Sequence, residues 1–211
     1  MPEKLLHIYK KLYTSFGPQH WWPGDTPFEV AVGAILTQNT NWGNVEKAIE
    51  NLKKNRLLRP SALHELSHNR LAELIRPAGY FNIKAKRLKN FIDLLMREYQ
   101  GSMNRMKKED FSSVRKKLLS VNGIGPETAD SIILYALEKP VFVIDAYTKR
   151  VLSRHNILDH DVSYEAFQEF FHATLKENVG LFNEYHALVV KLAKEYCRTK
   201  PVCTGCPLEG M

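Results

Sequence analysis

The chain is poor in cysteine, with three in 211 residues and none before position 197. That distribution excludes a disulfide framework and, in a reducing compartment, favours thiols used as metal ligands. Long apolar runs are also missing. No stretch approaches the roughly 20 apolar residues that cross a bilayer. The opening MPEKLLHIYKK has neither the apolar core nor the cleavage site of a signal peptide. A membrane role is excluded on this reading, and a cytoplasmic monomer is expected. Alternating β patterns are almost absent. Only Val141-Phe142-Val143-Ile144 reads as extended. Four apolar residues with no partner or hairpin turn build no sheet, so this segment is expected as a buried extended connection. No internal repeat, low-complexity tract or long linker divides the chain. What it does have is 44% hydrophobic and 25% charged residues, the composition of a globular protein rather than a disordered one. Lys+Arg 30 against Asp+Glu 23 gives a formal net charge of +7, which points to a polyanionic partner such as nucleic acid.

The hydrophobic periodicity is helical. Leu5, Leu6, Ile8, Tyr9, Leu12, Tyr13 and Phe16 recur at three- and four-residue steps with Lys10 and Lys11 between them, predicting an amphipathic helix. Thr26-Pro27 supplies an N-cap and an N1 proline for a nearly all-apolar segment from Pro27 to Thr37, expected as a buried central helix. Further helices are predicted over 45–54, 61–66, 69–75, 83–99, 111–119, 127–137, 146–153, 164–175 and 184–196. The predicted fold class is all-α.

Two segments carry candidate chemistry. Leu118 to Asp130 reads as a helix, a Gly123-Ile124-Gly125 turn and a second helix entered through Pro126. Glycines there tolerate positive φ and, without Cβ, let backbone amides approach a phosphate, so such a turn can grip a nucleic-acid backbone without reading sequence. A plain helix–helix connection with no ligand is the alternative. Downstream, Asp145 follows the apolar run at the start of a helix, either as a simple N-cap or as a functional anion.

Taken in order, these two segments resemble the helix-hairpin-helix (HhH-GPD) DNA glycosylase superfamily. Its signature is such a hairpin followed by a Gly/Pro-rich connection and an essential aspartate at a helix N-terminus. Leu36-Thr37-Gln38-Asn39-Thr40 is similar to the endonuclease III motif whose glutamine enters the gap left by an extruded base. Ala78-Gly79-Tyr80-Phe81-Asn82-Ile83-Lys84-Ala85 is similar to that family's Gly-x-Tyr-Asn-x-Lys-Ala segment. The resemblance spans roughly residues 25 to 206. It implies two helical lobes, a six-helix barrel lobe over 25–136 with the hairpin and a second lobe from 1–24 and 137–211 with a C-terminal cysteine loop. By resemblance, Gln38 and Asn39 intercalate, Gly123, Ile124, Gly125, Thr128 and Lys149 contact the DNA backbone, and Asp145 is catalytic. Lys84, Lys86, Arg87, Lys89 and Arg150 add basic character near the DNA.

Cys197-x5-Cys203-x2-Cys206 resembles the family's Cys-x6-Cys-x2-Cys-x5-Cys loop for a [4Fe-4S] cluster. It departs in a first gap one residue shorter and in lacking the fourth cysteine, which at the family's spacing would fall one position past Met211. Three thiolates can hold a cubane with an exogenous fourth ligand, can bind zinc together with His186, or can remain free. By resemblance the cluster shapes a loop that carries Lys194, Arg198 and Lys200 toward phosphate.

Bifunctional endonuclease III enzymes carry a lysine two residues after the second hairpin glycine, where its amine forms a Schiff base with the sugar. Here that position is Glu127, and a carboxylate forms no imine. A monofunctional enzyme is therefore expected, unless Lys84 or Lys149 substitutes. Trp21-Trp22-Pro23, Leu36-Thr37-Gln38-Asn39-Thr40 and the block Arg76-Pro77-x-Gly79-Tyr80-Phe81 look like the endonuclease III-related 3-methyladenine glycosylases, which, with Trp42, makes Trp21, Trp22, Pro23, Trp42 and Glu127 the expected base pocket. An electron-rich aromatic wall suits a cationic alkylated base; the same tryptophans could equally pack a core. The expected activity is removal of alkylated purines from double-stranded DNA. Release of oxidised pyrimidines or mismatched bases, a non-catalytic DNA-binding module and a redox sensor centred on the cysteines are the alternatives.

Overall fold

A computed structural model of the chain describes residues 2–211. Among these residues there is no strand, and twelve α-helices are linked by turns. No helix is long and apolar enough to cross a membrane. The chain divides into two compact units: Pro23–Lys139 is one, and the segment up to Trp22 together with Pro140–Met211 is the other.

The continuous unit is built around α2 (Pro27–Leu36). Thr26 Oγ1 accepts from Glu29 N at 3.1 Å and Pro27 occupies the first turn, so the start is capped as its sequence predicts. Phe28 to Leu36 are all buried, which explains why this helix is apolar all round rather than striped. It is surrounded by α3 (Trp42–Lys54), α6 (Phe81–Tyr99) and a π-helical turn over Ile132–Ala136. The smaller helices α4 (Pro60–Glu65), α5 (His68–Leu74) and α7 (Met103–Lys108), with a 3-10 turn over Arg76–Ala78, complete this shell. The hairpin is formed by α8 (Phe111–Leu119) and α9 (Pro126–Ser131). The helix predicted as continuous over 127–137 changes pitch at Ile132, where Leu137 N reaches back to Ile132 O at 3.1 Å and Lys139 N to Ile133 O at 3.1 Å.

The discontinuous unit contains α1 (Pro2–Phe16), α10 (Ala146–Arg154), α11 (Tyr164–Thr174) and α12 (Val179–Glu195). Helix α12 is its centre and packs on both α1 and α10. Tyr185 on α12 is fully buried, and its hydroxyl donates to Leu5 O at 2.8 Å; burial pushes its pKa up. The 141–144 segment is the expected buried extended connection. It solves its hydrogen bonding without a partner strand, because side chains of α11 take the place of a ladder. Phe142 N donates to His172 Nε2 at 3.1 Å, Gln168 Nε2 donates to Phe142 O at 2.8 Å, and Ile144 N reaches Tyr164 Oη at 3.4 Å. The Phe142 ring stacks on Phe171 with centroids 3.6 Å apart and meets Phe182 and Tyr185 edge-on, fixing where the connection delivers Asp145.

Candidate functional site

Asp145 is the N-cap of α10, and its Oδ1 accepts from Thr148 N at 2.7 Å. That much is an ordinary cap. The second carboxylate oxygen is not ordinary, because Oδ2 lies 3.4 Å from Nε2 of His186, an imidazole delivered by the middle of α12. The side chains are 11% and 5% exposed respectively. At 3.4 Å the contact is chiefly electrostatic rather than a well-made hydrogen bond. Burial pushes the Asp145 carboxyl up, but the electrostatic pull of His186 and donation from Thr148 outweigh it and hold the group below the ordinary carboxylate value. The His186 ring stacks on Trp21 with centroids 5.7 Å apart and 25° between planes, and Trp21 stacks on Trp22 at 5.6 Å and 23°. An ionised carboxylate and an aromatic wall therefore share one imidazole. Spacing could not reveal His186, which lies 41 positions from Asp145 and reads as a core residue of an apolar helix.

In the continuous unit the hairpin is braced by a buried ion pair. Arg115 on α8 donates from Nε to Asp130 Oδ1 at 2.7 Å and from Nη2 to Oδ2 at 3.0 Å, with Asp130 fully buried on α9. Gly123 has φ +96°, and a Cβ there would lie 2.2 Å from Arg87 Cγ, so both the backbone and the space require glycine. Gly125 has neither constraint. Among the described residues the Gly123 and Gly125 amides make no hydrogen bond within the protein. Ile124, expected at the DNA backbone, instead buries its side chain and commits its N–H to Val121 O at 3.0 Å, so it anchors the turn from inside.

Other expected contact residues are engaged internally. Gln38 Nε2 donates to Gly123 O at 3.1 Å and to Thr128 Oγ1 at 2.9 Å, while Arg87 Nη1 donates to Gln38 Oε1 at 2.5 Å. Gln38 thus joins the end of α2 to the hairpin and bonds the buried Thr128. Asn39 beside it is exposed with φ +52°. Lys149 turns onto Val162 O at 2.6 Å and over the Phe167 ring. Lys84, 1% exposed, donates to Leu36 O at 2.8 Å and Ala78 O at 2.6 Å. Burial, with Arg87 adding, lowers its pKa to about 8. Leu36 O belongs to the end of α2, whose last turn has no basic residue of its own, and the ammonium of α6 serves as its cap. Glu127 is exposed on the first turn of α9. Pro23 and Trp42 line one concavity of about 490 Å³ with Asp25, Glu29, Glu46 and Glu50.

Cys197, Cys203 and Cys206 are free thiols lining one concavity of about 380 Å³. Burial raises the Cys206 thiol, and the neighbouring Cys197 and Cys203 add to the effect. Arg150 holds the loop by donating to Cys197 O at 2.7 Å and Ala193 O at 3.2 Å, and Arg154 Nη1 approaches Cys197 Sγ at 3.5 Å. Among the described residues no three His, Cys, Asp or Glu side chains are gathered closely enough for a single metal ion. His186 faces Asp145 and does not line the cysteine concavity, so the zinc arrangement has no support. The three thiols share that concavity with Arg154 and Glu209.

A profile of the HhH-GPD superfamily of base excision DNA repair proteins matches residues 32–177. The Methanocaldococcus jannaschii protein MJ1434, provisionally named a DNA repair glycosylase, is 47% identical over 209 residues, which is 98% of this chain and 94% of that one. The solved structure of the H. pylori 3-methyladenine DNA glycosylase MagIII bound to 1,N6-ethenoadenine superposes with a TM-score of 0.78 at 30% identity, covering 90% of this chain and 97% of that one. A non-covalent endonuclease III–DNA complex superposes with a TM-score of 0.83 at 19% identity, covering 99% and 93%, a likeness of fold alone.

Proposed function

Because the chain belongs to the HhH-GPD superfamily of base excision DNA repair proteins, we propose that it is a monofunctional DNA glycosylase that hydrolyses the N-glycosidic bond of alkylated purines of the 3-methyladenine type. The observation that carries this reading is the Asp145 carboxylate at the start of α10, 3.4 Å from a His186 imidazole that stacks on Trp21. Departure of the base leaves positive charge on the sugar, and a fixed anion stabilises it where it develops. The carboxylate also takes a proton from the water that attacks C1′, while the electron pair of the broken C–N bond passes to the departing ring. A 3-methylpurine is already cationic and becomes neutral on leaving, so no proton donor is required. The faces of Trp21 and Trp22 attract that cationic ring. The resemblance to a 3-methyladenine glycosylase supports the same substrate class.

The absence of lyase activity rests on the amines. Glu127 occupies the Schiff-base position, and the two candidate substitutes, Lys84 and Lys149, are committed to backbone carbonyls. DNA is held through the Gly123 and Gly125 amides, contacts that carry no sequence preference. Asn39, with Gln38 once it leaves Gly123 and Thr128, fills the gap in the base stack. Cys197, Cys203 and Cys206 would hold the [4Fe-4S] cluster that the family resemblance implies, with a fourth ligand from outside these three, and its part would be to shape the loop carrying Lys194, Arg198 and Lys200.

The test is single-turnover incubation of a duplex carrying one alkylated adenine, divided so that only one aliquot receives alkali before strand separation. Wild type is expected to give cleavage only after alkali. Asp145→Asn is expected to slow base release by about 10²–10⁴-fold, the range for losing a positioned acid–base group. Strand cleavage without alkali would overturn the monofunctional reading, and unchanged release by Asp145→Asn would overturn the assignment of Asp145.

A further inference from the structure

We infer that His186 is the positioning residue of this site: its imidazole, 3.4 Å from Asp145 and stacked on Trp21, holds the carboxylate in its anionic form and in the orientation the reacting sugar needs. The inference rests on the reading of Asp145 as the catalytic group. It goes beyond it by giving that group's charge a specific origin in a side chain that no motif contains.

Asp145 has few cations to draw on. Among the described residues no lysine or arginine lies within ion-pair distance of it, and His186 is its ionic partner. The neighbouring cations and titratable groups of the unit are occupied elsewhere. On α10, Lys149 serves Val162 O, and Arg150 serves Cys197 O and Ala193 O. On α12, Tyr185 donates to Leu5 O, and Glu184 accepts from Gln19 N. On α11, Tyr164 meets Ile144 N, and His172 lies between Phe142 N and Glu177. The two oxygens of Asp145 are therefore fixed by different means. Oδ1 is held by a backbone amide, and Oδ2 faces an imidazole.

Packing fixes the imidazole in turn. Trp21 covers one side, Phe142 meets the ring edge-on with centroids 6.4 Å apart, and the side chain is 5% exposed. A charged imidazole gains from the carboxylate and from the tryptophan face together. The carboxylate is opposed by its own burial, and His186 is the largest of the influences that work the other way. A partner present only to satisfy a buried oxygen could be any neutral donor; a partner that sets charge cannot.

The experiment compares wild type, His186→Gln and His186→Phe in two readouts. The first is the pH dependence of single-turnover base release from the alkylated duplex. Loss of the imidazole charge is expected to move the acid limb upward by roughly one to three pH units, the range for losing an opposite charge at this separation, while half-saturating DNA concentration stays unchanged. A structural partner would be replaced by His186→Gln with no movement of the limb, and a limb that stays in place in both folded variants overturns the inference. The second readout is a carbon-13 NMR titration of aspartate carboxyls, with the Asp145 signal assigned by its loss in Asp145→Asn. It reports the pair without reference to any lesion. Upward movement of the Asp145 titration in the variants supports the pairing even where no alkylpurine is released, in which case the substrate reading has failed and the pairing has not. Base release with an Asp145 titration that does not move refutes the pairing alone. Should both His186 variants fail to fold, nitrogen-15 signals of the histidine rings in wild type and Asp145→Asn give the same answer from the other side: an unchanged His186 titration overturns the inference.

Discussion

Asp130 and Asp145 are both carboxylates shut away from water, and the protein treats them oppositely. Asp130 is fully buried and receives two bonds from the guanidinium of Arg115, a cation that does not lose its proton in the working range. Its geometry is bidentate, and its task is to join the two arms of a hairpin. Asp145 receives one backbone amide and faces an imidazole, and its side chain keeps 11% of its surface open. A carboxylate that braces a fold is gripped twice by one guanidinium, whereas the one proposed to meet a substrate keeps an opening and faces an imidazole.

This contrast can be broken first at the brace. Arg115→Met strands Asp130 in the interior, and the loss expected for breaking a buried pair from one side is about 3–5 kcal/mol in urea unfolding. The acid limb of base release should stay where it is in whatever folded fraction remains; a shifted limb would mean that the two carboxylates are not separate systems. A third buried charge sharpens the comparison. The Lys84 amine, lowered to about 8 within the fold, lies below its unfolded value. The unfolded chain therefore binds more protons between about pH 8 and the ordinary lysine range, and wild-type stability should rise with pH across that window. Lys84→Met, which also removes the donors to Leu36 O and Ala78 O, should flatten that rise and cost about 1–3 kcal/mol at neutral pH. An undiminished rise in denaturation midpoint would assign it to another group.

The smallest effect is expected at the site itself. Asparagine caps a helix about as well as aspartate, so Asp145→Asn should change unfolding free energy by about 1 kcal/mol or less at neutral pH while abolishing most activity. The folded Asp145 carboxyl lies below its unfolded value. What it adds to stability is present above the unfolded pKa and is lost as pH falls through the folded one. The difference between wild type and variant should therefore close in acid, and a gap that widens there would mean that folding raises this carboxyl instead of lowering it.

The elements are legible where local chemistry decides them. Thr26-Pro27 caps α2 as its residue types announce, and the structure adds Asp110 and Ser163 as the caps of α8 and α11. The 141–144 run is extended and buried for want of any partner strand. Helix α7 leaves no clear periodicity, because six residues carrying Arg105, Lys107 and Lys108 show only Met103 and Met106 to the core. Helix α12 begins at Val179 rather than Glu184 because the Asn178 side chain accepts from Leu181 N and offsets the cost of Gly180. At the site, Asp145, the hairpin glycines and the cysteines stand in motifs and can be picked out as candidates. The partners of Gln38, Lys84 and Lys149 cannot, since hydrogen bonds to distant carbonyls leave no periodicity behind. His186 is the clearest case, a polar residue whose meaning depends on which loop is brought against its helix.

The discontinuous unit also governs the order in which the site can form while the chain is being made. Its first helix waits through the synthesis of the whole Pro23–Lys139 unit before α12 emerges, and the bond from Tyr185 to Leu5 O spans 180 positions. The continuous unit can fold as it leaves the ribosome, since domains generally fold as units during synthesis. Asp145 meets His186 only when the last helix has been delivered. A nascent or truncated chain that ends before α12 thus carries the residues of the hairpin but not the imidazole that faces Asp145.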